Sequence, residues 1–310
     1  MTMIRAICFF ALLLVSVLDR PAFGQAMSRD EIIGYTSLWE GERFPDGRPK
    51  VSDDILERMK RVSIEGAWSV LRGEGYVNQF EGGWMMIHDD RPIVGRVLTA
   101  QYMPARPDAE AYIQRKGQEA GHTGSSNSWP INMLTSGDVY VASAFGKVEN
   151  GTLIGNNLAS AIYAKSGNGV IFDAGVRDLE ELEKMEGFNA FVRGWDPTFL
   201  TETMLTGINV PIRIGRATVL PGDVVLAKRE GVIFIPAHLA ERVVITSEII
   251  ALRDAFGIQR LQEGKYTPGQ IDNRWTEDIE RDFSQWLDAH ASELPVPKEE
   301  FQKYLEIRTW

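Results

Sequence analysis

Cysteine is almost absent. Cys8 is the only one in 310 residues, and it lies inside an apolar N-terminal run. The remaining chain therefore has no disulfide, thiol nucleophile or cysteine-held metal, a composition compatible with an oxidising compartment. Histidine is also scarce. His88, His122, His238 and His290 are the only four, and no two stand at the spacing of a metal-binding pair. Positive charge is the minority sign, with 33 Lys and Arg against 43 Asp and Glu and a net charge of -10. No basic run occurs, which argues against nucleic acid as a partner, because phosphate binding needs clustered Lys and Arg. A small anionic ligand remains allowed where one arginine or a metal inverts the local field. There is no G-x-S-x-G elbow, no G-x-G-x-x-G opening a helix after a strand, and no Walker loop.

Long apolar runs are missing except at residues 6–18, AICFFALLLVSVL. Arg5 precedes that run, and Ala22-Phe23-Gly24 offers small residues at a cleavage site. The run is shorter than the ~20 residues that span a bilayer. Residues 1–24 are predicted to be a signal peptide cleaved before Gln25, which places the mature chain outside the cytoplasm, secreted or periplasmic, and free of the membrane.

The rest has an ordinary globular composition, 44% hydrophobic. Residues 25–50 are polar and predicted to wrap or link. The spacing of Ile55, Met59, Val62 and Ala67 predicts one or two helices over 51–71. Strands are predicted at 84–87 and 93–100, and 103–130 reads as a long polar loop containing HTGSSNSWP. Then comes a strand–helix–strand–helix–strand series: 139–145, 157–166, 170–173, 178–186 and 190–193. Such alternation predicts parallel α/β units. After Pro211, four short strands joined by tight turns are expected, then a helix over 237–256. The tail, 257–310, carries an amphipathic helix with Trp275 and Trp286. These tryptophans suit packing or subunit contact better than ligand stacking.

Two strand-to-helix crossings carry the chemistry. In GVIFDAGVRDLEEL, an apolar strand leads into Arg177 and Asp178 at the start of a helix. Asp178 followed by Glu181 fits a capping box, which would make the carboxylate purely structural. The same place also suits a ligand, because α/β sheets bind at the carboxyl ends of their strands. There Arg177 suits a bidentate grip on a carboxylate, and Asp178 suits a divalent cation. In GTLIGNNL, Gly155 is expected to allow an unusual backbone angle, so that the amides of Gly155, Asn156, Asn157 and Leu158 converge on an anion. An ordinary turn is the competing reading. Adjacent crossings at one sheet edge put both groups within reach of one small ligand.

The stretches SGDVYVAS, IGNNLASAIYAKSGNGVIFDAGVRDLEEL, FNAFVRG and PIRIGRATVLPGDVVLAKREGVIFIP occur in an order that resembles the RraA-like proteins. VSDDILERM and PIVGRVLTA resemble that family's earlier motifs. The family includes the regulator of ribonuclease activity A and the 4-hydroxy-4-methyl-2-oxoglutarate aldolases. The motifs cover about residues 51–245, and the domain is placed at 51–256. The resemblance implies an α/β fold, a swivelling β/β/α-type sandwich, here with N-terminal helices and a helical C-terminal extension at 257–310. It also implies a homotrimer or hexamer with sites at subunit interfaces.

For the aldolases it implies that the amides of Gly155, Asn156, Asn157 and Leu158 hold the pyruvoyl part of a small 2-oxo acid. Arg177 would contact the substrate, and Asp178 would help bind magnesium. The implied reaction is metal-dependent retro-aldol cleavage through a pyruvate enolate, a route that oxaloacetate decarboxylation shares. The alternative is a non-catalytic binding or regulatory protein on the same scaffold. The family's older methyltransferase label finds no glycine-rich methyl-donor site in this chain. The chain departs from the family at Ser143 and at Lys228 and Arg229, where members often carry acidic residues. It departs again at Asn156 and Asn157, where the aldolases commonly have a glutamate. These departures bear on substrate identity.

Overall fold

The structure, a computed structural model, describes residues 25–294 and 297. Residues 1–24, expected to be a signal peptide and including Arg5 and Cys8, lie outside the described residues, as does the end of the C-terminal extension.

A ten-stranded mixed sheet forms the centre. Its middle is parallel: Ile93–Pro104, Asp138–Thr152, Val170–Val176 and Ala190–Val192 lie side by side. The hairpin Val224–Lys228 and Gly231–Ile235 extends one side antiparallel, and Met85–Met86 closes the other edge. Central parallel strands are buried on both faces, so near-continuous apolar runs form them. Alternate residues go to opposite faces. Val139, Val141 and Ile171 pack under a small ribbon, Ile212–Ile214 with Ala217–Val219. Tyr140, Ala142 and Phe172 pack toward the helical side with Ala159, Ile162 and Leu182. A ribbon, a sheet and a helical layer make this a mixed α/β fold of β/β/α type. A neighbouring core joins Val94, Leu226 and Ile233 to the helices Asp53–Met59, Ile64–Gly73 and Ala240–Gln262.

Several segments differ from the sequence expectation. Residues 103–130 are not a loop: Ile93–Pro104 runs into them and a helix spans Pro107–Glu119. That helix buries only Ile113 and Gly117, too few residues to show a periodic stripe. Gly117 lies beneath the buried Trp129 ring, where an added Cβ would sit 2.1 Å from it. The strand at 139–145 continues to Thr152 through two register shifts, with Phe145 and Asn150 at positive φ. Residues 25–50, read as a linker, carry the helix Arg29–Tyr35 under a Ser28–Glu31 capping box. They also deliver Arg48, 1% exposed, onto Asp138 at the start of a central strand. Phe256, from the helix Ala240–Gln262, joins Trp275, Phe283 and Trp286 of the C-terminal extension in a separate aromatic core.

One buried acid gives the fold a pH dependence. Asp223 is 4% exposed, and burial pushes its carboxyl up to about 7, opposed by the Leu220 N–H that donates to Oδ2 at 2.8 Å. The folded pKa is raised, so between roughly pH 4 and 7 the folded state holds a proton that the unfolded state has lost. Stability is therefore present at low pH and drains away as pH rises toward 7. Asp223→Asn keeps the amide contact and removes the charge. Its expected effect is stabilisation at pH 8, by at most about 4 kcal/mol, and little change at pH 4, read from urea unfolding at both pH values.

Candidate functional site

The two crossings meet. The strand Asp138–Thr152 passes through Leu153 and Ile154 into the helix Asn156–Ser166, and Val170–Val176 passes through Arg177 and Asp178 into the short helix Leu179–Glu183. Backbone bonds lock them together, with the Leu153 N–H donating to the Gly175 carbonyl at 3.0 Å and the Arg177 N–H to the Ile154 carbonyl at 3.1 Å. Both turns thus sit at the carboxyl ends of neighbouring parallel strands.

Asp178 is not the cap that its Asp-x-x-Glu spacing suggests. It adopts φ 62°, and its side chain caps nothing in its own helix. The helix accordingly begins at Leu179, not Asp178. The carboxylate instead crosses to the other turn, where Oδ2 accepts from the Asn156 N–H at 3.0 Å. A non-glycine residue in the left-handed region carries strain on the order of 1–3 kcal/mol, and such strain clusters at functional sites.

Gly155 also has a different reason from the expected one. Its φ of -124° and ψ of -166° are extended, open to any residue. What demands glycine is proximity: a Cβ there would lie 2.2 Å from Asp178 Oδ2 and 2.7 Å from Arg177 Nε. Gly155→Ala should therefore push Asp178 and Arg177 apart without straining its own backbone. The expected outcome is weaker binding of a small anion at this turn. Stability should change little, because the crowded atoms belong to flexible side chains that are each about two-fifths exposed. Calorimetric titration with oxalate beside a thermal melt reads both expectations.

Arg177 and Asp178 are each about two-fifths exposed, with 3.8 Å between Nε and Oδ2. At that separation and exposure the pair is weak, and the Arg177 guanidinium makes no hydrogen bond among the described residues, so its planar donors remain open to an anion. At the start of the helix Asn156–Ser166 the Asn156 amide is taken by Asp178, and the Asn157 and Leu158 amides, with no intrahelical acceptor, form a second anion-favouring element.

Gly155, Asn156, Asn157, Leu158, Arg177 and Asp178 all line one cavity of about 690 Å³. Three features of its wall were not read from the sequence. Asn127 comes from the supposed surface loop, and its side-chain N–H donates to the Leu153 carbonyl at 2.7 Å, bracing the amide turn. Asp196 accepts from the Thr198 N–H at 2.9 Å, and the Thr198 hydroxyl and amide hold its carboxyl below the usual range. Trp195, Phe199 and Leu200 complete the wall. The Asp-Pro-Thr run does carry a local turn signal, but only the fold shows where that turn goes. Ser143, Lys228 and Arg229 do not line this cavity.

A family model described as RraA-like, Aldolase/RraA, matches residues 49–234, more than half the chain. The chain belongs to the RraA-like family. Solved structures agree on the RraA-like fold. RraAS2 of Streptomyces coelicolor, described as an unusual member of the RNase ES inhibitor RraA protein family, is 23% identical with a TM-score of 0.59. That match covers 68% of this chain and all of that one. An uncharacterised protein of Pseudomonas syringae pv. tomato is 20% identical with a TM-score of 0.58, covering 73% of this chain and 100% of that one. A third structure, described as that of novel cellulases from microbes associated with the gut ecosystem, is 18% identical with a TM-score of 0.58, covering 74% of this chain and 96% of that one. At these identities the likeness is one of fold. In each match nearly all of the neighbour is covered and about 68–74% of this chain.

Proposed function

We propose that the protein is a magnesium-dependent carbon–carbon lyase that cleaves a small 2-oxo acid through a pyruvate enolate. The observation that carries this reading is the position of Asp178: it leaves its own helix uncapped and joins Arg177 and the Asn156 turn in one cavity. An Aldolase/RraA family membership is consistent with lyase chemistry.

The residues fit a magnesium ion of the water-rich kind. Among the described residues no group of three His, Cys, Asp or Glu could cage a metal. Magnesium, however, typically takes one or two carboxylates and keeps several waters or substrate oxygens. Asp178 supplies one such carboxylate, with Oδ2 on the Asn156 amide and Oδ1 uncommitted among the described residues. Bound there, the ion would supply Lewis-acid charge for the anion that develops on the substrate.

The chain's own groups do the rest. Arg177 binds the substrate carboxylate and adds positive charge where the enolate forms. The Asn157 and Leu158 amides orient the pyruvoyl oxygens. No histidine is among the described residues lining the cavity, so proton movement falls to water and carboxylates. The proposal extends to a homotrimer or hexamer in a secreted or periplasmic setting after removal of residues 1–24. Among the described residues no helix is long and apolar enough to cross a membrane.

The test is pyruvate release from oxaloacetate and from 4-hydroxy-4-methyl-2-oxoglutarate, with and without a chelator. The expected result is turnover that chelation abolishes and added magnesium restores. Metal-independent turnover would contradict it. The competing reading, a binding or regulatory protein, rests on the likeness to RraAS2, a member of an RNase ES inhibitor family. It would gain if neither magnesium nor any 2-oxo acid bound by calorimetry.

A further inference from the structure

From the chain crossing next to Arg177, we infer that Asp196 is the general base of the cleavage, the carboxylate that takes the proton from the substrate's C4 hydroxyl. The inference rests on the lyase reading and deepens it by one residue. Three crossings stand in a row at the carboxyl edge of the sheet. Asp138–Thr152 leads to the Gly155 turn, Val170–Val176 to Arg177 and Asp178, and the short strand Gly194–Trp195 to Asp196. Gly175 pairs with Thr152 on one edge and with Gly194 on the other, so Val170–Val176 is the middle strand of the three. Trp195 pairs with Val176, and the Asp196 N–H donates to the Val176 carbonyl at 3.2 Å. Asp196 therefore follows Trp195 as Arg177 follows Val176, and the two stand side by side. Arg177 has the amide turn on one flank and a second carboxylate on the other, and all three groups line one cavity.

That carboxylate is held in place. Thr198 donates to Asp196 Oδ1 twice, from its N–H at 2.9 Å and from its hydroxyl at 2.5 Å, so Oδ2 is the oxygen open to a substrate. Thr198 is itself fixed to the strand Asp138–Thr152. The Asn150 N–H donates to its hydroxyl oxygen at 2.6 Å, and the Thr152 hydroxyl donates to its carbonyl. The Thr201 N–H donates to the Asn150 carbonyl at 3.1 Å, and Asn150 makes this turn at φ 55°. Every one of these bonds lies within a single chain. Neighbouring strands are about 4.8 Å apart, close to the reach from a keto carbon to a hydroxyl two carbons further along. A pyruvoyl end on Arg177 and the amides thus carries the C4 hydroxyl toward Asp196. Among the other acids of the wall, Asp178 is bonded to the Asn156 turn and Glu181 to Lys184 at 2.6 Å. The Thr198 donors keep Asp196 ionised, ready to accept a proton, and lower its basicity. Its contribution is accordingly placed at the low end of general-base catalysis, about 10²-fold.

The step balances within the substrate and water. In 4-hydroxy-4-methyl-2-oxoglutarate Asp196 takes the C4 hydroxyl proton, and the O–H electron pair becomes the carbonyl of one pyruvate. The C3–C4 bond breaks and its electron pair stays on C3 as the enolate of the other. The enolate takes a proton from water, and Asp196 returns its own to the hydroxide left behind. Oxaloacetate reaches the same enolate by losing carbon dioxide and has no C4 hydroxyl to deprotonate.

The two substrates therefore separate a base from a binding group. With magnesium present, Asp196→Asn is expected to lower pyruvate release from 4-hydroxy-4-methyl-2-oxoglutarate about 10²-fold. Oxaloacetate decarboxylation, measured above the magnesium-only blank, should stay near the wild-type rate. The new amide oxygen keeps the Thr198 bonds, so the thermal melt and calorimetric binding of oxalate should match the wild type. Asp196→Ala, as the second variant, should show the same split between substrates. Equal loss on both substrates, no loss on either, or loss of oxalate binding would overturn the base assignment and leave the lyase reading standing. A wild type that decarboxylates oxaloacetate and leaves the hydroxy acid uncleaved would do the same. No pyruvate from either compound by the wild type would sink the lyase reading itself, and the assignment with it.

Discussion

Arg177→Ala should lower pyruvate release roughly 10²–10³-fold, the usual cost of deleting one preorganised group that stabilises a developing oxyanion. The melting temperature should stay close to that of the wild type. The two expectations come from the same geometry. Arg177 is held in place by its backbone, through the N–H bond to Ile154, and not by its side chain. Its contact with Asp178 is long and half-exposed, worth about 0–1 kcal/mol. Truncation therefore removes charge from the cavity without loosening the turn. Arg177→Lys should recover only part of the activity, because an ammonium cannot reproduce the planar fork that grips a carboxylate. Steady-state kinetics beside a thermal melt reads both. A large drop in melting temperature would mean that Arg177 is structural.

Arg48→Met should destabilise the protein by roughly 3–5 kcal/mol, the range for breaking a buried ion pair from one side. Arg48 donates from both terminal nitrogens to Asp138, at 3.1 Å each, and from Nε to Asp46 at 2.8 Å. Asp138 is fully buried, and its other contacts are the Thr135 amide and hydroxyl. Without Arg48 a carboxylate would be left buried with two neutral donors. Asp138 opens the strand whose far end feeds the amide turn, so the loss should appear first as lowered stability and only then as lowered activity of the folded fraction. Adding Asp138→Asn should restore part of the stability, since the stranded charge is then gone. Urea unfolding of the single and double variants is the measurement.

These cases show what the sequence made legible. Val139–Tyr140–Val141–Ala142 and Val170–Ile171–Phe172 read as buried strands because an uninterrupted apolar run has few other uses. Gly155, Arg177 and Asp178 were legible as a pair of crossings because strand ends bind ligands in such sheets. The role of Asp178 was not, because its local spacing fits a helix cap equally well. Only φ 62° and a hydrogen bond to an amide 22 positions away decide against the cap. Gly155 invited an argument from backbone freedom, yet its dihedrals are ordinary and crowding by Asp178 is the cause. Arg48 meeting Asp138 across 90 positions leaves no periodic trace. Asn127 sat in a segment whose composition reads as loop, Phe199 in a stretch with no periodic signal to read, and tertiary packing alone brings both to the cavity wall.

The shared pocket itself is open to one direct measurement. Oxalate is planar and doubly charged, a stable mimic of the pyruvate enolate. Calorimetric titration of oxalate should show tight binding with magnesium present and little without it, and both Asp178→Asn and Arg177→Ala should lose most of that binding. Oxalate that binds equally well without the metal, or that binds the two variants as it binds the wild type, would contradict the account.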